Sequence, residues 1–134
     1  MSNWSPIIPD GPMYAFQRDR LHHSAAVRAG NLLIVSGIVG MVDRKISPDP
    51  AQQFADAFTN LRDLLAASGS GLHDVAELLT FHVGLNEHMS TFISAKDAAF
   101  SAAPYPAWTA IGCSELSFGA LVEIRAVAAP ATFA

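Results

Sequence analysis

The closing stretch Leu121-Val122-Glu123-Ile124-Arg125-Ala126-Val127 restricts the fold more than any other part of the chain. Its pattern has the period of a strand with two different faces. Val122, Ile124 and Ala126 take one face; Leu121, Glu123, Arg125 and Val127 take the other. A second strand-like run, Pro106-Ala107-Trp108-Thr109-Ala110-Ile111-Gly112, precedes it, with Trp108 and Ala110 on one face. An antiparallel return between the two runs would bring Glu123 near Trp108 and Ala110. A carboxylate between Val122 and Ile124 is unusual for such a strand, so the functional question starts there.

The rest of the chain supplies the partners this strand needs. Residues 1–20, rich in Pro, Gly and Asp, read as a surface segment. His22 to Ala29 reads as a strand, Gly30-Asn31 as a tight turn, and Leu32 to Val35 as a strand covered on both faces. Asp49-Pro50 has the form of a helix start, with Gln53 near enough to help cap it. Phe54, Ala57, Phe58, Leu61, Leu64 and Leu65 follow the helical rhythm, and Gly69 stops it. Asp74 to Val83 reads as a strand, and Asn86 as the cap of a second helix carrying Met89, Phe92, Ile93, Ala99 and Phe100. Pro104 and Pro106 end that helix. The order β-β-α-β-α-β-β makes residues 1–134 one α+β domain, two helices packed on one face of a mixed sheet.

Composition narrows the function classes. Of the 134 residues, 51% are hydrophobic and 15% charged, more apolar surface than a monomer of this size readily hides. Self-association is therefore expected. The net charge is −4, and the eight Lys and Arg residues are dispersed, which leaves no basic face for nucleic acid. The single cysteine, Cys113, forms no internal disulfide, and beside Gly112 it reads as a small buried hydrophobe. No run of about eighteen apolar residues offers a membrane span, and the N-terminus lacks the basic-then-apolar pattern of a signal peptide. A cytoplasmic protein with no membrane partner is expected.

Several residues carry two readings. Glu123 is either a carboxylate paired with Arg125 or Arg28 in a solvated patch, or a general acid/base at the edge of an apolar pocket. Partial burial raises a carboxyl pKa, by up to about 3–5 units in the extreme. His22, His23, His73, His82 and His88 show no metal-ligand spacing, and each reads most simply as a surface or structural histidine; no metal site is expected. Ser36-Gly37 lacks the G-x-S-x-G setting of a nucleophile, and glycine there suits close approach of a ligand to the backbone. Trp108 is core or interface packing, or a flat pocket wall.

Val27 through Gly30-Asn31, Val35-Ser36-Gly37, Leu64-Leu65-Ala66-Ala67-Ser68-Gly69, Pro106-Ala107 and Leu121 to Ala128 together resemble the RidA/YjgF family of small imine/enamine deaminases, over about residues 20–129. The resemblance implies a chorismate-mutase-like homotrimer, its three sheets forming a central barrel with helices outside and ligand clefts between subunits. It also implies that Glu123 helps activate the attacking water, that backbone groups near Ser36 and Gly37 assist, and that no cofactor is needed. Three positions depart from the family pattern. Trp108 stands where an arginine clamps the substrate carboxylate, His23 where many members have tyrosine, and Ile38 where glutamine commonly follows Ser-Gly.

An indole cannot replace a bidentate guanidinium–carboxylate contact, so 2-aminoacrylate-type substrates are not expected. The reading is a RidA-like hydrolase acting on an imine, enamine or related conjugated small molecule. Glu123 and His23 would be its catalytic groups. Trp108, Ser36, Gly37, Ile38, Ala110 and Asn86 would be its binding residues. A non-catalytic ligand-binding trimer is the alternative. An RNA-acting protein is a third reading, which the charge balance does not favour.

Overall fold

The structure, a computed structural model, describes residues 2–133. Its main sheet has six strands in the order β1-β2-β3-β8-β6-β7, formed by β1 (Trp4–Ile7), β2 (Ala26–Ala29), β3 (Leu32–Val35), β6 (Val75–His82), β7 (Ala107–Gly112) and β8 (Val122–Ala128). A two-stranded hairpin, β4 (Met41–Val42) with β5 (Lys45–Ile46), stands apart from it. Two long helices, α2 (Pro50–Ala67) and α3 (Leu85–Ala99), complete the α+β fold; α1 (Pro12–Phe16) is short and continues as a wider π-helical turn, Gln17–Leu21.

Sheet neighbours are antiparallel except β6 and β7. Parallel neighbours require a crossover, and α3 is that crossover. The two closing strands are therefore not neighbours, contrary to the sequence expectation. Strand β6 lies between them: Leu78 is paired with Trp108 on one side and Ala126 on the other, and Phe81 likewise with Ile111 and Glu123. Because paired residues share a face, Trp108 and Glu123 lie on opposite faces of the sheet.

One face is covered by helices. Leu33, Val35, Leu78, Val122 and Ile124 are buried there, and α2 presents Phe54, Phe58, Leu61, Leu64 and Leu65 to them. Helix α3 adds Phe92, whose ring is within 4.6 Å of His82, 5.5 Å of Phe58, 5.6 Å of Phe54 and 6.0 Å of Trp108, centroid to centroid. Such edge and tilted pairs add to the burial itself. On the opposite face Leu32 and Ile111 are exposed, and Ile34, Leu79, Phe81 and Val127 are half-buried. Leu32 to Val35 is thus covered on one face within the chain, not on both.

The remaining differences are local. Residues 4–7 join the sheet instead of wandering, since Trp4–Ile7 pairs with Ala26–Ala29. Strand β2 begins at Ala26, so His22 and His23 lie outside it; His22 closes the π-helical turn in a left-handed conformation. Gly84, also left-handed, caps α3, and Asn86 lies exposed within the first turn. Asp49 occupies the α2 cap position with Pro50 after it, without a side-chain capping bond. Gln53 does not cap; buried, it donates to the Ser47 carbonyl at 3.0 Å and accepts from Leu121 N–H at 2.7 Å.

Phe92→Ala is expected to cost about 3–5 kcal/mol in urea unfolding, the range for removing a fully buried ring. A second expectation concerns His82, which is buried and whose pKa burial lowers. Its Nε2 is 2.7 Å from Thr80 Oγ1, which also accepts from Trp108 Nε1–H at 2.9 Å, and His82 Nδ1 has no partner among the described residues. Above its ordinary value of about 6.5 the ring is neutral in both folded and unfolded chains. Below that value the unfolded chain takes up the proton first, so stability falls as pH drops. The thermal midpoint of the wild type should decline more steeply between about pH 7 and pH 5 than that of His82→Gln; parallel curves would refute this.

Candidate functional site

The loop between β3 and β4 is held on either side of Gly37. Ser36 N–H donates to the Ala25 carbonyl at 3.0 Å, and Ser36 Oγ to the Ser24 carbonyl at 2.6 Å. Ile38 and Ile124 exchange both backbone bonds at 2.8 Å. Asn60, from α2, donates to the Val39 carbonyl at 3.0 Å and the Met41 carbonyl at 2.9 Å. Gly40 packs so closely on α2 that a Cβ there would overlap the Gln53 carbonyl oxygen.

This anchoring lays Gly37 directly beneath Glu123. A Cβ built on Gly37 would overlap the Glu123 carboxylate and lie 2.7 Å from its carboxyl carbon. The glycine is needed for space here, not for a left-handed backbone. Glu123 is half-buried, and among the described residues its carboxylate has no hydrogen bond or ion pair. Arg125 pairs instead with Glu77 at 3.7 Å, and Arg28 lies over the Phe133 ring at 4.1 Å. Among the described residues, then, neither Arg125 nor Arg28 supplies the ion pair that the solvated reading of Glu123 needs.

Glu123, Gly37, Ser36, Ile38 and His23 all line one cleft of about 930 Å³. Of the residues singled out from sequence, these five are brought together. His23 is exposed at its wall, with Nδ1 3.2 Å from the Ser24 carbonyl. When Nδ1–H donates to that carbonyl, neutral His23 keeps Nε2 as a free proton acceptor. The Ser36 hydroxyl is engaged with Ser24, which fits a structural role and not a nucleophile.

Trp108, Ala110 and Asn86 do not line this cleft. Trp108 packs on the helix-covered side, against Phe92 and under the Lys96 ammonium at 4.8 Å. The physical reason is the intervening β6, which puts Trp108 and Ala110 two strands away and facing the other way.

Several cleft residues were not singled out from sequence. Met13, Tyr14, Phe16 and Leu21 come from the N-terminal helical segment, Arg44 from the tip of the β4–β5 hairpin, and Phe118 from the β7–β8 connection. Pro12 at the first helical position, followed by spaced apolar residues, was the readable signal for the first group. Burial, with the charge of Asp63 adding to it, raises the Tyr14 pKa, so its phenol stays protonated and able to donate. Among the described residues, no three His, Cys, Asp or Glu groups gather where they could hold a metal ion, and no helix is long and apolar enough to cross a membrane.

Residues 18–130 match the family described as Endoribonuclease L-PSP. The chain belongs to that family. This is the RidA/YjgF family that the sequence motifs resemble. The RutC family protein YjgH of Escherichia coli K12 is 41% identical, over 91% of this chain and 92% of that protein. The 2-iminobutanoate/2-iminopropanoate deaminase of Dermatophagoides farinae is 30% identical, over 78% and 83% respectively. The solved structure of protein YJGH matches with a TM-score of 0.84 and 38% identity, covering 95% of this chain and 96% of that one. The family fold is thus the fold of this chain.

Gly37→Ala tests the cleft geometry. The added methyl must displace the Glu123 side chain, while Gly37 itself is exposed and outside any strand. Any ligand that stabilises the wild type in thermal-shift assays should stabilise Gly37→Ala far less, with the unliganded midpoint moving little by comparison.

Proposed function

We propose that the chain is a RidA-like hydrolase that deaminates a small imine or enamine in the cleft around Glu123. The observation that carries this reading is the carboxylate seated over Gly37 without an ion-pair partner among the described residues. Glu123 takes a proton from water as that water attacks the C=N carbon. With the imine protonated at nitrogen this gives a neutral carbinolamine. The protonated acid passes its proton to the amino group, and ammonia leaves as the carbinolamine hydroxyl gives its proton to the Glu123 carboxylate, forming the carbonyl product. An enamine enters the same route after protonation at carbon. The acceptor nitrogen of His23 is the second proton carrier. Gly37 N–H, with no hydrogen-bond partner among the described residues, offers a donor to a polar edge of the ligand.

Membership of the family and the name carried by the 30%-identical relative support the reaction class. The family description also names an endoribonuclease, but a net charge of −4 with dispersed Lys and Arg favours a small molecule over RNA. Trp108, at the position of the family's clamping arginine, argues against 2-aminoacrylate-type substrates held in the usual way. The helix-free sheet face, with Leu32 and Ile111 exposed, suits a homotrimer built by packing sheets together. In such a trimer Trp108, Ala110 and Asn86 would reach a cleft only from a neighbouring copy. A cytoplasmic setting suits this chemistry.

Ammonia release from a panel of imines generated in situ, compared between the wild type and Glu123→Gln, tests the mechanism. Loss of the acid/base should lower the rate by about 10²–10⁴. Equal rates would remove Glu123 from the chemistry. Trp108 in the arginine position also favours one other reading, a binding protein on the same scaffold. A compound that raises the thermal midpoint yet is never turned over would support that instead.

A further inference from the structure

Among the described residues, four other than glycine have positive φ: His22 (58°), Asp43 (50°), Arg44 (65°) and Phe118 (62°). Asp43, Arg44 and Phe118 line the cleft, and His22 immediately precedes His23, which also lines it. Backbone strain of this kind persists only where the surroundings enforce it, and it gathers at functional sites. In this chain it gathers at the rim of one cleft.

Arg44 is the least expected of the four. Val42 pairs with Lys45, so Asp43 and Arg44 are the two central residues of a two-residue hairpin turn. Positive φ at both positions defines the type I′ turn, whose second position favours glycine. Asp tolerates the left-handed region through local hydrogen bonding; Arg has no such compensation. Nor does packing explain it, because Arg44 is exposed and among the described residues its guanidinium makes no hydrogen bond or ion pair, even with Asp43.

The cleft supplies the missing explanation. Its ionisable groups are Asp43, Glu123, His23, Tyr14 and Arg44, and of these Arg44 is the one guanidinium. The walls of the cleft are largely apolar, Met13, Phe16, Leu21, Ile38 and Phe118 among them. A planar guanidinium beside such walls is suited to a planar anion, above all a carboxylate, through two parallel hydrogen bonds. We propose that Arg44 is the specificity-determining residue of the cleft, binding a carboxylate group of the ligand from the hairpin tip. This deepens the deaminase reading and rests on it for the identity of the ligand's other end, the C=N carbon presented to Glu123.

The experiment uses straight-chain oxo acids of increasing length and the corresponding oxo amides as stable probes, titrated calorimetrically into the wild type, Arg44→Gly and Arg44→Lys. At least one acid should bind the wild type about tenfold to a hundredfold more tightly than its amide, the span of a charge-assisted hydrogen bond. That preference should vanish in Arg44→Gly and survive in part in Arg44→Lys. Glycine relieves the left-handed backbone, so Arg44→Gly should unfold at a higher temperature than the wild type while losing the acid preference. Equal binding of acid and amide to the wild type, or an acid preference retained in Arg44→Gly, overturns the proposal. Turnover is read separately on the imines of the same acids: an Arg44-dependent acid preference without Glu123-dependent ammonia release would sink the deaminase reading and leave the Arg44 site standing.

Discussion

The reciprocal pair of hydrogen bonds between Ile38 and Ile124 fixes the geometry of everything functional in this chain. It ties an otherwise irregular loop to the third residue of β8, one position beyond Glu123. With Ile38 in that register, Gly37 can only lie under the Glu123 side chain, and the carboxylate is held at the sheet surface with open cleft beyond it. The bonds lie in the backbone, so they specify position without regard to side-chain identity. The side chains add the exclusions: no Cβ at Gly37 or Gly40, an amide at Asn60 to satisfy two loop carbonyls, and a hydroxyl at Ser36 for the Ser24 carbonyl.

The two faces of β8 do different work. Val122, Ile124, Ala126 and Ala128 are buried under the helices and hold the strand at the centre of the sheet. Glu123 and Arg125 look the other way. Arg125 has its counter-charge in Glu77; Glu123 has none among the described residues. A carboxylate left without a protein partner beside an open cleft is available to water or a ligand, and that is a reason to expect a functional role.

Much of this was legible in the sequence where short-range physics decides. The α2 rhythm from Phe54 to Leu65, the stop at Gly69, the Gly30-Asn31 hairpin turn and the alternation of β8 each depend on residues within a few positions of one another. What failed was the assumption that successive strands pair. Strand–helix–strand is the pattern of a parallel crossover, and Val75–His82, Leu85–Ala99 and Ala107–Gly112 obey it. Reading that pattern would have put β6 between the closing strands and Trp108 away from Glu123. Ser36, Gly37 and Ile38 form a local motif, and the chain brings them to one cleft; where Trp108, Ala110 and Asn86 lie relative to that cleft depends on strand order, which no local pattern carries.

The cleft walls were the least legible part, for a reason of composition. Residues 10–21 contain one proline, one glycine and several charges, the usual marks of loop; Pro12 with the spaced apolar residues after it signals a short helix, but not that Met13, Phe16 and Leu21 turn toward a cavity. Arg44 is harder still, since in sequence it is one more basic residue in a polar turn. Its distinction is conformational: a left-handed backbone held by the pairing of Val42 with Lys45. The free energy for such strain must come from elsewhere in the fold, and the packed α2 face beside the hairpin, locked by Asn60 and Gly40, is where it is available. Stability built into the helix-covered face is thereby what allows the rim of the cleft to keep residues that local propensity alone would have replaced by glycine.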